Sequence, residues 1–248
     1  MTKIAIIIPS RLNAQRLPNK PLKLIKNKEM IQHVYDLAIK AQAGNVVVAT
    51  PDQQIIEIIK NNGGSAVKTK YDHQTGTDRV YEVFEKEFHK EVDFVINLQG
   101  DMPNLNPLSI NDLINHMKKN TCDIGTLASN LDLKNELSDP NICKVVTNRS
   151  IHDTQYASAL DFYRSSDNVN SNPIYHHIGI YAFTSKALIR YVSLKRSKLE
   201  VERKLEQMRA LENEMKIDVL FTNDCPLSVD TEKDLVEIKK IMETDEKN

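Results

Sequence analysis

Apolar runs of strand length alternate with helical stripes through the first half of the chain. That order restricts the fold more than any other feature. Ile4–Ile8 reads as an apolar strand. Met30, Val34, Leu37, Ala38 and Ala41 recur at helical spacing, and Gly44 is placed to end that helix. Val46–Ala49 is a short run of buried-strand type. Ile55, Ile56, Ile58 and Ile59 give a short helix stopped by Asn62-Gly63-Gly64, and Ser65–Lys68 reads as another strand. A stripe of Val80, Val83, Phe84 and Phe88 precedes the strand Phe94–Leu98. Pro107 then opens a helix with Ile110, Leu113, Ile114 and Met117 on one face. Strand, helix, strand, helix at this spacing predicts an α/β chain with a doubly wound, mostly parallel sheet.

The second half is less regular. Strands are expected at Ile124–Leu131, Lys144–Thr147, His176–Phe183 and Ile217–Phe221. Asp161–Pro173, rich in Ser, Asn and Asp, reads as a loop. Val201, Leu205 and Met208 share one helical face, and Thr231–Met242 is a helix with a Thr231/Asp234 capping box. A length of 248 residues suits one large domain or two small ones.

Net charge is −1, so no global field favours nucleic acid or an anionic membrane. No apolar run approaches the roughly 20 residues that span a bilayer, which predicts no membrane insertion. The N-terminus opens with strand-like sequence rather than a signal peptide, so a cytoplasmic chain is expected. Cys122, Cys143 and Cys225 have neither disulfide-framework nor zinc-site spacing, and are expected to be buried, inert thiols.

Chemistry is expected where strands end. Ile4–Ile8 runs into a polar loop carrying Arg11, Arg16 and Lys20. Ligands collect at the C-terminal ends of strands in open α/β sheets, and these cations suit a triphosphate. A solvated basic loop is the alternative. Asp101, in Gln99-Gly100-Asp101, follows the strand Phe94–Leu98, with Gly100 expected to allow a sharp turn. Asp230 precedes the last helix, where an Asp also serves as a cap or dipole partner. Two such carboxylates can hold one hard cation such as Mg²⁺, with phosphate oxygens as further ligands. Between them, Asp72–Arg79 is polar and turn-forming; its backbone reads the edge of a base, or Thr75 or Thr77 merely caps the following helix.

In this order, I-I-P-S-R-L-N-A-Q-R-L-P-N-K-P-L, V-V-A-T, D-H-Q-T-G-T-D-R, N-L-Q-G-D-M-P, H-H-I-G-I-Y-A-F, L-E-Q-M-R-A-L-E and S-V-D-T-E-K-D-L resemble the 3-deoxy-manno-octulosonate (Kdo) cytidylyltransferases, the CMP-Kdo synthetases. The resemblance runs over nearly the full length. It implies a Rossmann-like three-layer sandwich of glycosyltransferase-A (nucleotide-diphospho-sugar transferase) type. The chain would be one domain, residues 1–248, with 1–120 mainly binding CTP and 121–248 mainly binding sugar and forming a homodimer. It implies transfer of CMP from CTP to Kdo, with release of pyrophosphate, for lipopolysaccharide synthesis.

Carried over by motif, Arg11, Arg16 and Lys20 would hold the CTP phosphates, and His73, Gly76, Thr77, Asp78 and Arg79 would line the cytosine and ribose pocket. Asp101 and Asp230 would bind Mg²⁺, and with Lys20 and Arg16 form the catalytic set. Gln99, Arg164, His177, Tyr181, Glu206 and Gln207 would line the acid-sugar site.

The chain departs from the common family pattern at four places. Pro51 stands where the family has Asp, with Asp52 one step on, and Met102 replaces an acid. In Asp161–Asn168 the family's Ser before the arginine is Tyr163, and its Ile-Pro is gone. That segment leaves open another acidic sugar, such as an 8-amino Kdo or a nonulosonic acid, or a nucleotide-binding descendant without turnover.

Overall fold

Ile4 to Ile8 carry no polar side chain, and the strand they open, β1 (Ile4–Pro9), is buried at every position. The computed structural model describes residues 2–13, 16–88, 91–165 and 171–244. The further strands are β2 (Leu24–Ile25), β3 (Lys28–Glu29), β4 (Asn45–Thr50), β5 (Ala66–Lys68), β6 (Phe94–Leu98), β7 (Ile124–Ser129), β8 (Lys144–Thr147), β9 (Tyr156–Tyr163), β10 (Ile174–Thr184) and β11 (Ile217–Phe221). The α-helices are α1 (Met30–Lys40), α2 (Gln53–Asn61), α3 (Gly76–Val83), α4 (Pro107–Lys119), α5 (Ile151–Thr154), α6 (Ser185–Ser193), α7 (Lys198–Arg203), α8 (Met208–Glu212) and α9 (Glu232–Thr244). The chain divides into two compact units, Met1–Asn111 with Pro226–Asn248, and Asp112–Cys225.

The first unit is the expected parallel α/β arrangement. Its strands lie in the order β5-β4-β1-β6, all paired parallel. Met30, Val34, Leu37 and Ala38 of α1 are buried as their spacing predicts. Gly44 has a different role from the one expected. The helix already ends at Ala41, and a Cβ on Gly44 would lie 2.2 Å from the Ile4 carbonyl oxygen. Gly44 thus lets the chain pass close to β1. Gly44→Ala should cost about 1–3 kcal/mol as the backbone shifts; an unchanged melting temperature would contradict this close approach. Gly100 is likewise not at positive φ, and its hypothetical Cβ would meet the Pro9 carbonyl oxygen at 3.3 Å. Close passage to β1, rather than a special turn conformation, explains that glycine.

Val229, Leu235 and Ile238, from the last segment, pack with Leu17, Ile25 and Met30 in one apolar cluster. This cluster sets the basic loop against the start of α9. The expected capping box is present. Asp234 N donates to Thr231 Oγ1 (3.2 Å), and Thr231 N donates to Asp234 Oδ2 (2.8 Å).

The second unit corrects the expectation of a mostly parallel sheet. β10 pairs with β7 and β8, β7 with β11, β11 with β9 and β9 with β8, a closed circuit of five strands. Only β7–β11 is parallel among these pairs. The connection from β8 to β9 holds only the four-residue α5, too short for a parallel crossover. The loop expected at Asp161–Pro173 begins instead as the end of β9. Phe162 and Tyr163 are buried there, while residues 166–170 lie outside the described ones. The helical face expected from Val201, Leu205 and Met208 is split. Lys204 adopts φ 54 and ends α7, Val201 is exposed, and Leu205 and Met208 are buried.

Candidate active site

In the first unit the loop after β1, the end of β6 and the segment before α9 converge on one ammonium. Asn19 takes a left-handed conformation (φ 55) and starts the short 3₁₀ turn Lys20–Leu22. Lys20 Nζ donates to Asp101 Oδ2 and to Asp230 Oδ1, both at 2.9 Å. Arg16 Nη2 reaches Asp230 Oδ2 at 2.7 Å. Burial alone would lower the Lys20 ammonium, but the charges and hydrogen bonds of Asp101 and Asp230 outweigh it and raise it above its ordinary value. The carboxylates are fixed by backbone. Val229 N donates to the Asp101 carbonyl oxygen (2.9 Å), and Asp230 N donates to Asp234 Oδ2 (3.0 Å). All four residues expected to carry catalysis are therefore gathered in one charge network.

Two departures from the family pattern find a structural role here. Asp52 Oδ2 accepts the Leu12 N–H at 2.8 Å, so the acid displaced by Pro51 anchors the basic loop. Met102 is 3% exposed and packs inside, which suits an apolar side chain better than a carboxylate. Arg11 is exposed on the same loop, and its charge is felt at Arg79.

The segment expected to face the base is rigid. Thr75 caps α3 in a reciprocal capping box with Asp78. Thr77 is buried and accepts from Asn97 Nδ2 (3.0 Å), and Asn97 Oδ1 accepts from Gln99 Nε2 (3.1 Å). Arg79 is buried, donating to Thr69 Oγ1 and to the Lys70 carbonyl oxygen (2.8 Å). His73 is paired with Glu82. Burial opposes ionisation of Glu82, yet hydrogen bonds from Lys86, His73 and the Lys70 N–H lower it to about 2. These side chains brace the segment that leads into α3, whose first residue is Gly76.

In the second unit a bulge in β10 organises a buried polar set. The register with β7 shifts between Ile178 and Tyr181, and such a bulge re-aims side chains. Thr126 Oγ1 donates to the Ile180 carbonyl oxygen (2.7 Å) and lies 3.0 Å from His177 Nε2. His177 packs edge-on to Phe162 and 5.6 Å from the Tyr181 ring. Burial pushes His177 down to about 3, and also raises the Tyr181 hydroxyl, so both are neutral at pH 7. Gln207 is buried beside Cys143, its Nε2 3.6 Å from Sγ. The Glu206 charge acts on Tyr181, and that of Arg164 on both Tyr181 and His177. The five expected sugar residues of this unit are thus brought into one neighbourhood.

Lys144 was not foreseen from sequence. It is fully buried, and Nζ donates to the carbonyl oxygens of Asp139 (2.6 Å), Ile142 (3.0 Å) and Arg164 (2.6 Å). It ties the chain entering β8 to the chain leaving β9. A lone Lys in K-V-V-T carries no signal of such a role.

Arg164 donates to the Asn141 carbonyl oxygen, and Arg203 holds Asp161. Arg164→Lys should raise the sugar KM and leave the CTP KM nearly unchanged, because a planar fork binds a carboxylate in a way an ammonium does not. Equal effects on both substrates would remove Arg164 from a sugar clamp. Tyr163 is buried in β9. Tyr163→Ser is therefore expected to cost about 3 kcal/mol of stability, rather than mainly to alter sugar preference.

The expectation for the cysteines holds in part. Cys122 is buried and Cys143 half-buried, but Cys225 is exposed. Loss of water around its sulfur would raise the Cys225 thiol, yet the hydrogen bond and charge of the neighbouring His176 outweigh this and lower it. No helix among the described residues is long and apolar enough to cross a membrane.

The cytidylyltransferase family model matches residues 5–217. A 3-deoxy-manno-octulosonate cytidylyltransferase of Brucella ovis is 41% identical over 94% of this chain and 93% of its own length. One from Bartonella henselae is 39% identical over 96% and 97%. A solved CMP:2-keto-3-deoxy-manno-octonic acid synthetase complexed with CTP is 34% identical, with a TM-score of 0.88, covering 98% of this chain and 100% of that one. A 4-diphosphocytidyl-2C-methyl-D-erythritol synthase from Anaerococcus prevotii shares the fold at 15% identity, with a TM-score of 0.64 over 98% and 99% of the two chains.

Proposed function

The chain belongs to the cytidylyltransferase family, and from that premise and its charge network we infer that it transfers CMP from CTP to Kdo, giving CMP-Kdo and pyrophosphate. The single observation that carries the chemistry is Lys20, held at 2.9 Å by each of Asp101 and Asp230. The anomeric hydroxyl of the sugar attacks the α-phosphorus, and the bond to the departing pyrophosphate breaks in line. Such transfer needs positioning and charge neutralisation more than covalent help from the protein.

Lys20, Arg16 and Arg11 take the triphosphate in this reading, and Lys20 meets the charge that grows on the leaving group. Asp101 and Asp230 fit a hard cation, since their oxygens already converge on one positive charge, and they would hold Mg²⁺. When bound, that ion neutralises triphosphate charge. Arg164 pairs with the sugar carboxylate. Neutral His177 and Tyr181, with Glu206 and Gln207, all of the second unit, orient the sugar hydroxyls. The finer fold assignment, a glycosyltransferase-A type sandwich, and a homodimer belong to the same proposal; the mass in solution checks the dimer. A net charge of −1 supports small-molecule substrates rather than nucleic acid.

CTP-dependent pyrophosphate release with a panel of acid sugars tests the assignment. Kdo should give the highest kcat/KM. A higher value with an 8-amino Kdo or a nonulosonic acid would reassign the sugar, and no release with any would overturn the transferase.

Lys20→Ala should weaken CTP binding and lower kcat together, by about 100-fold in kcat/KM, because the ammonium counters charge that increases in the transition state. Arg16→Ala should act in the same direction with a smaller effect, its pair being more exposed. Wild-type kinetics for Lys20→Ala would return the loop to a solvated surface.

A further inference from the structure

Away from the charge network, the second unit buries a set of groups that the transferase reaction does not use. His116 lies on α4, Cys122 follows that helix, and Asp218 sits on β11 between Gly125 of β7 and Ser158 of β9. All three are buried, and their nitrogen, sulfur and oxygen atoms lie within 4.8 Å of one another. Asp218 is completely buried. Its Oδ2 is 2.9 Å from His116 Nε2. Its Oδ1 has no nitrogen or oxygen hydrogen-bond partner among the described residues; the Cys122 thiol is the hydrogen-bonding group that faces the carboxylate, and Lys216 Nζ lies at 3.9 Å, the edge of ion-pair range. Met117 Sδ stands 3.4 Å from Cys122 Sγ.

A completely buried carboxylate with an oxygen left to a weak thiol donor and a distant ammonium is costly, and native interiors rarely leave one unexplained. Here it faces a thiol and an imidazole. We propose that His116, Cys122 and Asp218 form a binding site for a borderline-soft divalent metal ion of the zinc class, separate from the Mg²⁺ of catalysis.

The donor set selects the ion. Thiolate, imidazole and carboxylate are zinc ligands, whereas Mg²⁺ takes oxygen. A thiolate and a carboxylate carry two negative charges, which a divalent ion cancels, leaving the buried site neutral. Metal binding breaks the S–H bond, forms the metal–sulfur bond and releases a proton to solvent. In the metal-free chain the Asn120 amide nitrogen lies 3.1 Å from His116 Nδ1 and donates to it, which leaves the ring proton on Nε2 towards Asp218; binding the ion at Nε2 moves that proton to Nδ1 and turns the Asn120 amide to present its oxygen. The ring is held edge-on by Tyr156 at 4.5 Å. The fourth position falls to Met117 or to water. Sequence spacing does not reveal the site, because β11 supplies the third ligand 102 residues beyond His116.

The test uses the full chain, stripped with a chelator and titrated with Zn²⁺ against a chromophoric competitor in excess Mg²⁺. One zinc ion should bind per chain and raise the melting temperature. Co²⁺ in its place should give a thiolate-to-metal charge-transfer band. Cys122→Ser, checked for folding by circular dichroism, should lose the stoichiometric zinc, the band and the thermal shift, while Cys225→Ser should keep all three. Absence of stoichiometric zinc or of the cobalt band in the wild-type chain overturns the proposal without recourse to a variant. So does persistence of both in Cys122→Ser, or their loss in Cys225→Ser.

Discussion

Asp101→Asn is expected to lower kcat by at least about 100-fold and to leave the fold intact, the scale of loss when a preorganised electrostatic group is removed. Asn matches Asp in shape, and the Asp101 backbone carbonyl, which accepts the Val229 N–H, is unchanged. What disappears is one negative charge 2.9 Å from Lys20 Nζ. Lys20 then leans on Asp230 alone, and Asp230 is already shared with Arg16. In the proposed reaction the variant also loses half of the carboxylate pair that would hold Mg²⁺. Asp230→Asn should act comparably. The measurement is turnover at saturating CTP, Kdo and Mg²⁺; a near-normal kcat for Asp101→Asn would place Asp101 outside the reacting centre.

CTP should be preferred over UTP by about 10⁴-fold in kcat/KM. The two bases differ at one edge, where a donor is exchanged for an acceptor. A flexible segment would adapt to either. Here Thr75, Asp78, Arg79 and His73 are each committed to internal bonds that fix the segment before α3. A fixed edge facing the wrong base leaves buried polar groups unpaired, and that mismatch costs several kcal/mol. Comparable kcat/KM for the two nucleotides would show that this segment does not read the base.

The first unit was legible in the sequence because its strands are short, apolar and separated by helices of clear period. β1, β4 and β6 begin and end close to where their apolar runs do. The second unit was harder to read. β9 carries Ser158 and Asp161 among its apolar residues, and its neighbours in the sheet, rather than its own pattern, make it a strand. The split between α7 and α8 rests on a left-handed Lys204, which side-chain periodicity does not disclose. For the site, the basic loop and Asp101 could be named from their positions at strand ends, and Asp230 from its place before the last helix. Their mutual pairing through Lys20 could not, since it joins positions 210 residues apart. Lys144 was missed because its ligands are backbone carbonyls, which every residue has.

The discontinuity of the first unit has a consequence for how the enzyme is made. Residues 112–225 are a complete unit interposed between Asp101 and Asp230. A ribosome must therefore synthesise that whole insertion before it can supply the second carboxylate. Until then Lys20 has one acid instead of two, and Leu17, Ile25 and Met30 lack Val229, Leu235 and Ile238 to cover them. The intervening unit has all its strands in hand and can fold first, while the basic loop waits for the last segment of chain. Synthesis thus runs opposite to reading order: the loop translated earliest is the part finished last, and no nascent chain ending before Asp230 carries the complete charge network.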